Sequence, residues 1–401
     1  MILGWYGNGN LGDEIILDAM LADLRTEGPA LSLVAISDDP KETERLHHVR
    51  SIGSRGTARQ RFRRFRELVG ADLFVIGGGG ILGSYGETDV ASMAWLVPLR
   101  LAHELGVPTM TWGVGIGDRI SPREEEAMRK VLGEADSICL RDGRSIERLD
   151  RIGVRERVTL TADPAVLFPG VISSQPLPRP ESVPPKVSVF VRHWYVSENR
   201  VPDEDGWTGF KASLAACLDS LISHRSAEVS FIPMRVKDPV DDDREVAREI
   251  AGIMTQGGQA KIVDRLMPPS ELVDVAARSD LVIGMRLHSL ILSTTLGVPS
   301  MAINYHPKVR SYMESVGAED WTFEIGGGMG SRLMDAAEAA LNGNYPRERV
   351  LARIEEARKL AHRNTEIALG LLNDHSRDRG GTKRATLAVR ALLSRALGTE
   401  R

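Results

Sequence analysis

The sequence predicts an α/β protein of two Rossmann-like domains facing each other across a cleft, and three observations predict it. The chain has 401 residues, beyond the ~250–300 at which a single hydrophobic core usually splits. Apolar runs of strand length alternate with helical patterns along most of it, the signature of βαβ units. A stretch rich in Pro and Ser, Pro169 to Pro185, interrupts that alternation near the middle and reads as neither element.

The alternation begins at once. Ile2 to Tyr6, Ser32 to Ile36, Leu73 to Ile76, Thr109 to Trp112, Ser137 to Leu140 and Val158 to Leu160 are the runs expected as strands of the first domain, residues 1–169. After the linker, residues 170–186, the pattern resumes with Val187 to Val191, Val229 to Ile232, Ala260 to Val263, Leu281 to Ile283 and Ser300 to Ile303, which define a second domain over 187–330. Residues 331–401 read as C-terminal helices, charged throughout and short of acid from Arg377 onward. A cleft between two such domains is the default place for a ligand.

Composition removes several classes. A formal net charge of −4 gives no overall bias toward nucleic acid. Cys139 and Cys217 lie in apolar surroundings without ligand-like spacing, which argues for two buried thiols rather than a disulfide or a zinc site. The N-terminus lacks a basic and then apolar leader, and no run reaches the ~20 apolar residues of a membrane span. A cytoplasmic protein is expected. The basic stretch Arg59 to Arg66 carries Phe62 and Phe65 at helical spacing, as in a helix resting on anionic lipid or a phosphate-bearing precursor, or in a solvated helix with both rings in the core. The tail from Lys383 to Arg395 reads as a membrane-surface helix or as a terminal helix packing back on the first domain, so peripheral contact with a membrane surface stays an alternative.

Three glycine-rich stretches follow strands of the first domain. Gly7, Gly9 and Gly12 satisfy the dinucleotide fingerprint locally, with Asp38 and Asp39 near the place of a ribose-binding acid. Asp13 and Glu14 argue against it, since two carboxylates at that helix start repel a pyrophosphate. Asn8 and Asn10 offer amides suited to sugar hydroxyls. Gly77 to Gly80 reads as a loop allowing close backbone approach of a ligand, and Gly113 to Gly117 as a tight turn. In the second domain Arg286, His288 and Ser289 stand where the run Leu281 to Met285 passes into the helix-like Leu290 to Leu296. That places an arginine, an imidazole and a hydroxyl at a strand's carboxyl end and a helix start, where open α/β sheets bind ligands and backbone N–H groups attract anions.

Together, Gly7-Asn8-Gly9-Asn10-Leu11-Gly12-Asp13, the Gly77 to Gly80 stretch, Leu140 to Ser145, Thr161 to Pro164, Gly284 to Ser289 and Tyr305-His306-Pro307-Lys308 resemble the polysaccharide pyruvyl transferase family over roughly residues 1–320. The resemblance implies a GT-B-like fold and transfer of pyruvate from phosphoenolpyruvate to two hydroxyls of a sugar, giving a cyclic ketal on a cell-surface polysaccharide or its precursor. It also implies the acid–base role for His288. Such chemistry calls for a proton donor active near neutrality, which imidazole is, and for cations to hold a carboxylate and a phosphate. Arg286, Arg141, Arg192 and Lys308, with Ser289, are the expected donor-binding residues. Asn8, Asn10, Asp13, Gly79 and Gly80 are expected on the acceptor side, a sugar or lipid-linked oligosaccharide. The donor side falls on the second domain by analogy with GT-B enzymes.

Each candidate has a structural alternative: Arg141 as an ion pair with Asp142, Arg192 and Lys308 as surface cations, His306 as a turn residue. Arg235, Lys237 and the acids Asp241 to Asp243 read chiefly as the cap of a helix beginning near Arg244. No cofactor or metal is expected, phosphoenolpyruvate being a substrate. A glycosyltransferase using a nucleotide sugar, a non-catalytic sugar or anion sensor, and an NAD enzyme are the competing readings.

Overall fold

The computed structural model describes residues 1–83, 92–173, 183–194, 203–238, 241–326 and 329–378. The expected tail helix from Lys383 to Arg395 and most of the Pro/Ser-rich linker lie outside them.

The first domain is built on seven strands: β1 Ile2–Leu3, β2 Val34–Ser37, β3 Arg50–Gly53, β4 Phe74–Leu82, β5 Thr109–Ile116, β6 Ser137–Leu140 and β7 Val158–Leu160. They pair in the order β3-β2-β1-β4-β5-β6-β7, all parallel. The second domain has six: β8 Lys186–Phe190, β9 Glu228–Phe231, β10 Lys261–Ile262, β11 Leu281–Gly284, β12 Ser300–Asn304 and β13 Thr322–Glu324. Their order is β10-β9-β8-β11-β12-β13, again parallel throughout. In each sheet the order reverses beside its first strand, between β1 and β4 and between β8 and β11, the switch point at which doubly wound sheets bind ligands. These are the two Rossmann-like domains of a GT-B-like fold.

The inner strands are apolar because both faces are covered, as parallel sheets require. Val187, Val189, Leu281, Ile283, Met301 and Ile303 are at most 1% exposed in the second core, and Phe74, Ile76, Val114 and Ile138 likewise in the first. Cys139 and Cys217 are free and buried; burial pushes their thiols up to about 11 and about 12.

Two glycine stretches depart from expectation. Gly77 to Gly80 is not a loop after a strand that stops at Ile76; the strand runs on to Leu82. Gly78 and Gly79 have φ of 53° and 81°, and the pairing with β5 shifts register between Gly79 and Leu82. The glycines let the strand carry a bulge instead of ending it. A Cβ at Gly78 would stand 2.2 Å from Ile16 and one at Gly77 2.5 Å from the Tyr6 hydroxyl, so the missing side chains also make room for the helix Leu11–Glu27. Gly113 to Ile116 likewise continue β5. Edge strands β3 and β13 were not expected, since Arg50–Gly53 and Thr322–Glu324 carry polar ends and no continuous apolar run.

By packing, the chain divides into one unit of Met1–Asn8, Ile16–Pro164 and the chain from Lys359 on, and a second of Gly9–Ile15 and Ala165–Arg358. The segment Gly9–Ile15, expected in the first domain with Asn10 and Asp13, thus groups with the second. The helix Arg347–Asp378 starts in the second unit and from Lys359 belongs to the first, where His362 and Thr365 hydrogen-bond Asp23. Among the described residues no helix is long and apolar enough to cross a membrane.

Candidate functional site

The four central strands of the second sheet deliver polar residues from their carboxyl ends. Arg192 follows β8, Arg235 follows β9, Arg286 and His288 follow β11, and Tyr305 and Lys308 follow β12. Arg286 is the N-cap residue of the helix Leu287–Thr295, with no side-chain cap bond of its own. Ser289 closes that turn, its hydroxyl donating to the Arg286 carbonyl at 2.6 Å. The same happens one strand over, where His306 caps the helix Pro307–Ser315 by accepting from the Lys308 backbone N–H at 3.1 Å. Two helix N-termini therefore open side by side, and each carries the positive end of its dipole.

Buried guanidiniums need partners, and the loop after β9 supplies them. Arg286, 7% exposed, donates through Nε to both oxygens of Asp243 at 3.2 and 3.1 Å and through Nη2 to Asp243 and, at 3.3 Å, to Asp241. Its Nη1 makes no hydrogen bond to any described residue. Asp243 also accepts the Met234 and Arg235 backbone N–H groups at 2.9 and 3.1 Å. Arg192, 5% exposed, donates to the Tyr305 hydroxyl at 3.0 Å and to Asp241 at 3.3 Å, and its guanidinium lies 4.8 Å from the centre of the Tyr305 ring. The Lys308 ammonium stands 5.3 Å from the same ring. Arg235 reaches Asp241 and Asp238. The Nε atoms of Arg192 and Arg235 are buried without a hydrogen-bond acceptor among the described residues.

The electrostatics follow from this packing. Burial by itself would lower the Arg286 pKa, but Asp243 and Asp241 outweigh it and hold the guanidinium above its ordinary value. Burial pushes the Asp241 carboxyl up, yet Arg286, Arg192 and Arg235 together bring it below the usual range. Asp243 is the exception: burial raises it more than Arg286 lowers it.

The start of the first helix completes the site from a distant part of the sequence. Asn10 forms an antiparallel bridge with Arg235, and the Leu11 N–H donates to the Met234 carbonyl at 3.0 Å. Gly12 lies flat against the His288 imidazole: a Cβ there would stand 2.1 Å from Nδ1. The third glycine of the apparent dinucleotide fingerprint is thus filled by a histidine ring. Asn10 caps its own helix, donating to Asp13 at 2.6 Å and accepting from the Gly12 N–H at 3.3 Å.

Of the expected donor residues, Arg286, His288, Ser289, Arg192 and Lys308 therefore belong to one unit, while Arg141 belongs to the other, where it pairs with Asp163 at 2.8 Å and lies against Gly115. Arg192 is no surface cation. Of the acceptor residues, Asn10 and Asp13 serve the helix start, Gly79 and Gly80 are part of β4, and Asn8 lines a cavity of the first unit. Among Asp241 to Asp243 only Asp242 is the cap that the sequence suggested, accepting from the Arg244 N–H at 2.9 Å; its neighbours hold the arginines. Arg235, Tyr305 and Gly12 complete the site. For Asp241 and Asp243 the run of three acids was the one signal in the sequence, since the pairing of Asp243 with Arg286 joins residues 43 positions apart.

A family model described as polysaccharide pyruvyl transferase matches residues 10–307. The amylovoran biosynthesis protein AmsJ of Erwinia amylovora is 23% identical over 292 residues, 68% of each chain. Among solved structures, a putative UDP-N-acetylglucosamine 2-epimerase from Listeria monocytogenes aligns with a TM-score of 0.59 at 11% identity, covering 96% of this chain and 98% of its own. The corresponding epimerase from Methanocaldococcus jannaschii also gives 0.59, at 13% identity over 91% and 98%. At such identities these structures establish the shared fold.

Proposed function

Because the chain belongs to the polysaccharide pyruvyl transferase family, we propose that it moves pyruvate from phosphoenolpyruvate onto two hydroxyls of one sugar, forming a cyclic ketal on a polysaccharide or its precursor. The observation that carries the reading is that Arg192, Arg286, His288 and Lys308 all follow the carboxyl ends of the neighbouring strands β8, β11 and β12, with Arg286 and His288 at a helix start. A relative named for amylovoran biosynthesis supports a place in making a polysaccharide.

The donor is small and carries two anionic groups. Arg286 offers Nη1, Arg192 lies one strand away, Lys308 sits over the Tyr305 ring, and the first-turn N–H groups add a fixed positive dipole. Asp241 and Asp243 hold the guanidiniums in place, and Ser289 fixes the carbonyl of Arg286. This donor set is drawn from the second unit; Arg141 pairs with Asp163 in the first. The arginines and Lys308 supply the positive charge, so no metal ion enters the reading.

A proton from His288 adds to the methylene carbon, making it a methyl group and leaving an oxocarbenium-like centre at the neighbouring carbon. One sugar hydroxyl attacks that centre and gives its proton to the imidazole. The bond to the phosphate oxygen then breaks, and the second hydroxyl closes the ring, its proton leaving with the phosphate. General acid–base catalysis of this kind contributes ~10²–10⁴-fold.

Calorimetric titration tests the donor assignment. Phosphoenolpyruvate is expected to bind, and Arg192→Ala to weaken it at least about tenfold, the scale of one charge-assisted hydrogen bond. Binding of UDP-N-acetylglucosamine or NAD in its place would overturn the reading in favour of glycosyl or hydride transfer. A second expectation concerns Gly12→Ala. The methyl group pushes the imidazole from its seat, and misplacement by about 1 Å lowers the rate about 10²-fold. Donor binding stays, because the cations do not move. Steady-state kinetics beside the same titration checks both halves.

A further inference from the structure

The first unit holds a cavity of about 480 Å³ that the chemistry above does not use. That volume falls in the ~300–1,000 Å³ of ligand pockets. It runs from the sheet face at Leu3, Ile36 and Phe74 to the carboxyl ends of β1, β2 and β3, between the helices Ala58–Val69 and Met93–Glu104. Its walls are apolar, with Trp5, Phe65, Trp95 and Val97 among them. Trp5 and Trp95 pack together with ring centres 5.7 Å apart and planes tilted by 53°.

The mouth of this cavity has the opposite character. Arg55, Arg61 and Arg64 line it. Arg64 is anchored by donating to the Gly53 carbonyl at 2.7 Å, and Asp38 is held by Ser54 and by Arg55 at 3.8 Å. Burial, with Arg61 close by, holds the Arg64 guanidinium below its ordinary value. Large apolar side chains stay in water around the same helices: Phe62 is 68% exposed, Val97 55% and Trp5 38%. Of the two phenylalanines expected together in the core or on a lipid surface, only Phe65 packs inward. Exposed apolar groups beside guanidiniums suit a molecule that is both greasy and anionic.

We propose that this cavity binds a long-chain lipid phosphate, its hydrocarbon chain along Trp5, Phe65 and Trp95 and its phosphate at Arg55, Arg61 and Arg64. On the pyruvyl-transfer reading, on which this assignment rests, that molecule is the lipid carrier of the acceptor sugar. The acceptor is then recognised by its anchor as well as by its hydroxyls.

Farnesyl phosphate is the probe, titrated into the full chain while tryptophan fluorescence and heat are followed. Saturable binding is expected, at least tenfold tighter than that of farnesol and with none for inorganic phosphate at equal concentration. Val97→Asp and Arg61→Glu, both at the exposed mouth, should each weaken it at least tenfold while circular dichroism and phosphoenolpyruvate binding stay unchanged. Equal binding of inorganic phosphate would reduce the site to a simple anion pocket and overturn the proposal. Binding only to phosphatidylglycerol vesicles, and not to farnesyl phosphate, would overturn it in favour of a membrane surface. No binding at all, or variants that bind as well as the parent, would also overturn it. The probe is applied without phosphoenolpyruvate, so failure here and failure of the donor assignment are read separately.

Discussion

His288→Gln is expected to lower the rate of ketal formation by ~10³-fold while leaving phosphoenolpyruvate binding within a few-fold of the parent. Glutamine keeps a polar group on the first turn of the helix Leu287–Thr295 but can neither give nor take a proton. The cations that hold the donor come from other strand ends and from Arg286, which the substitution does not touch. Rate is measured as phosphate released per unit time in the presence of acceptor, and binding by calorimetry on the same preparation. Parallel loss of rate and binding would instead make His288 a ligand of the donor. An unchanged rate would remove it from the reaction altogether.

Asp243→Ala is expected to destabilise the second unit by about 3–5 kcal/mol, the usual effect of stranding one charge of a buried pair. Asp243 is 1% exposed and serves three groups at once: the Arg286 guanidinium and the N–H groups of Met234 and Arg235. Its loss leaves all of them short of an acceptor. Adding Arg286→Met to that variant should recover part of the stability, because the orphaned charge goes with it. Donor binding should not return, since the guanidinium itself is gone. Denaturant unfolding of the parent, both single variants and the double variant closes the cycle. If Asp243→Ala melts like the parent, the pair is not what fixes Arg286. If the double variant is as unstable as the single one, the backbone N–H bonds to Asp243 matter more than its charge.

These two residues divide what could be read in advance from what could not. His288 was legible because it stands where an apolar run passes into a helix, a local pattern that fixes its position at a strand end before any contact is known. The bounds of β6 agree with the run Ser137 to Leu140 because a strand buried on both faces needs continuous apolar residues, and those of β7 agree with Val158 to Leu160 although that strand is a partly exposed sheet edge. Strand β4 was misread as ending at Ile76 because glycine usually punctuates; here positive φ at Gly78 and Gly79 lets the strand bulge and continue. Asp243 was legible as a charge near a helix start, but not as the partner of Arg286.

The sequence by itself determined the class of the fold, two βαβ domains, and the strand ends at which Arg192, Arg286, His288 and Lys308 appear. Periodicity and punctuation are local, so a single reading of the chain finds them. Only the tertiary structure decided that Asp241 and Asp243 hold the arginines, that Gly12 is the seat of the His288 ring, and that Arg141 lies with Asp163 in the other unit. Those contacts join residues far apart in the chain. Which carboxylate meets which guanidinium is set by strand order and by the need to satisfy every buried charge, not by spacing along the sequence.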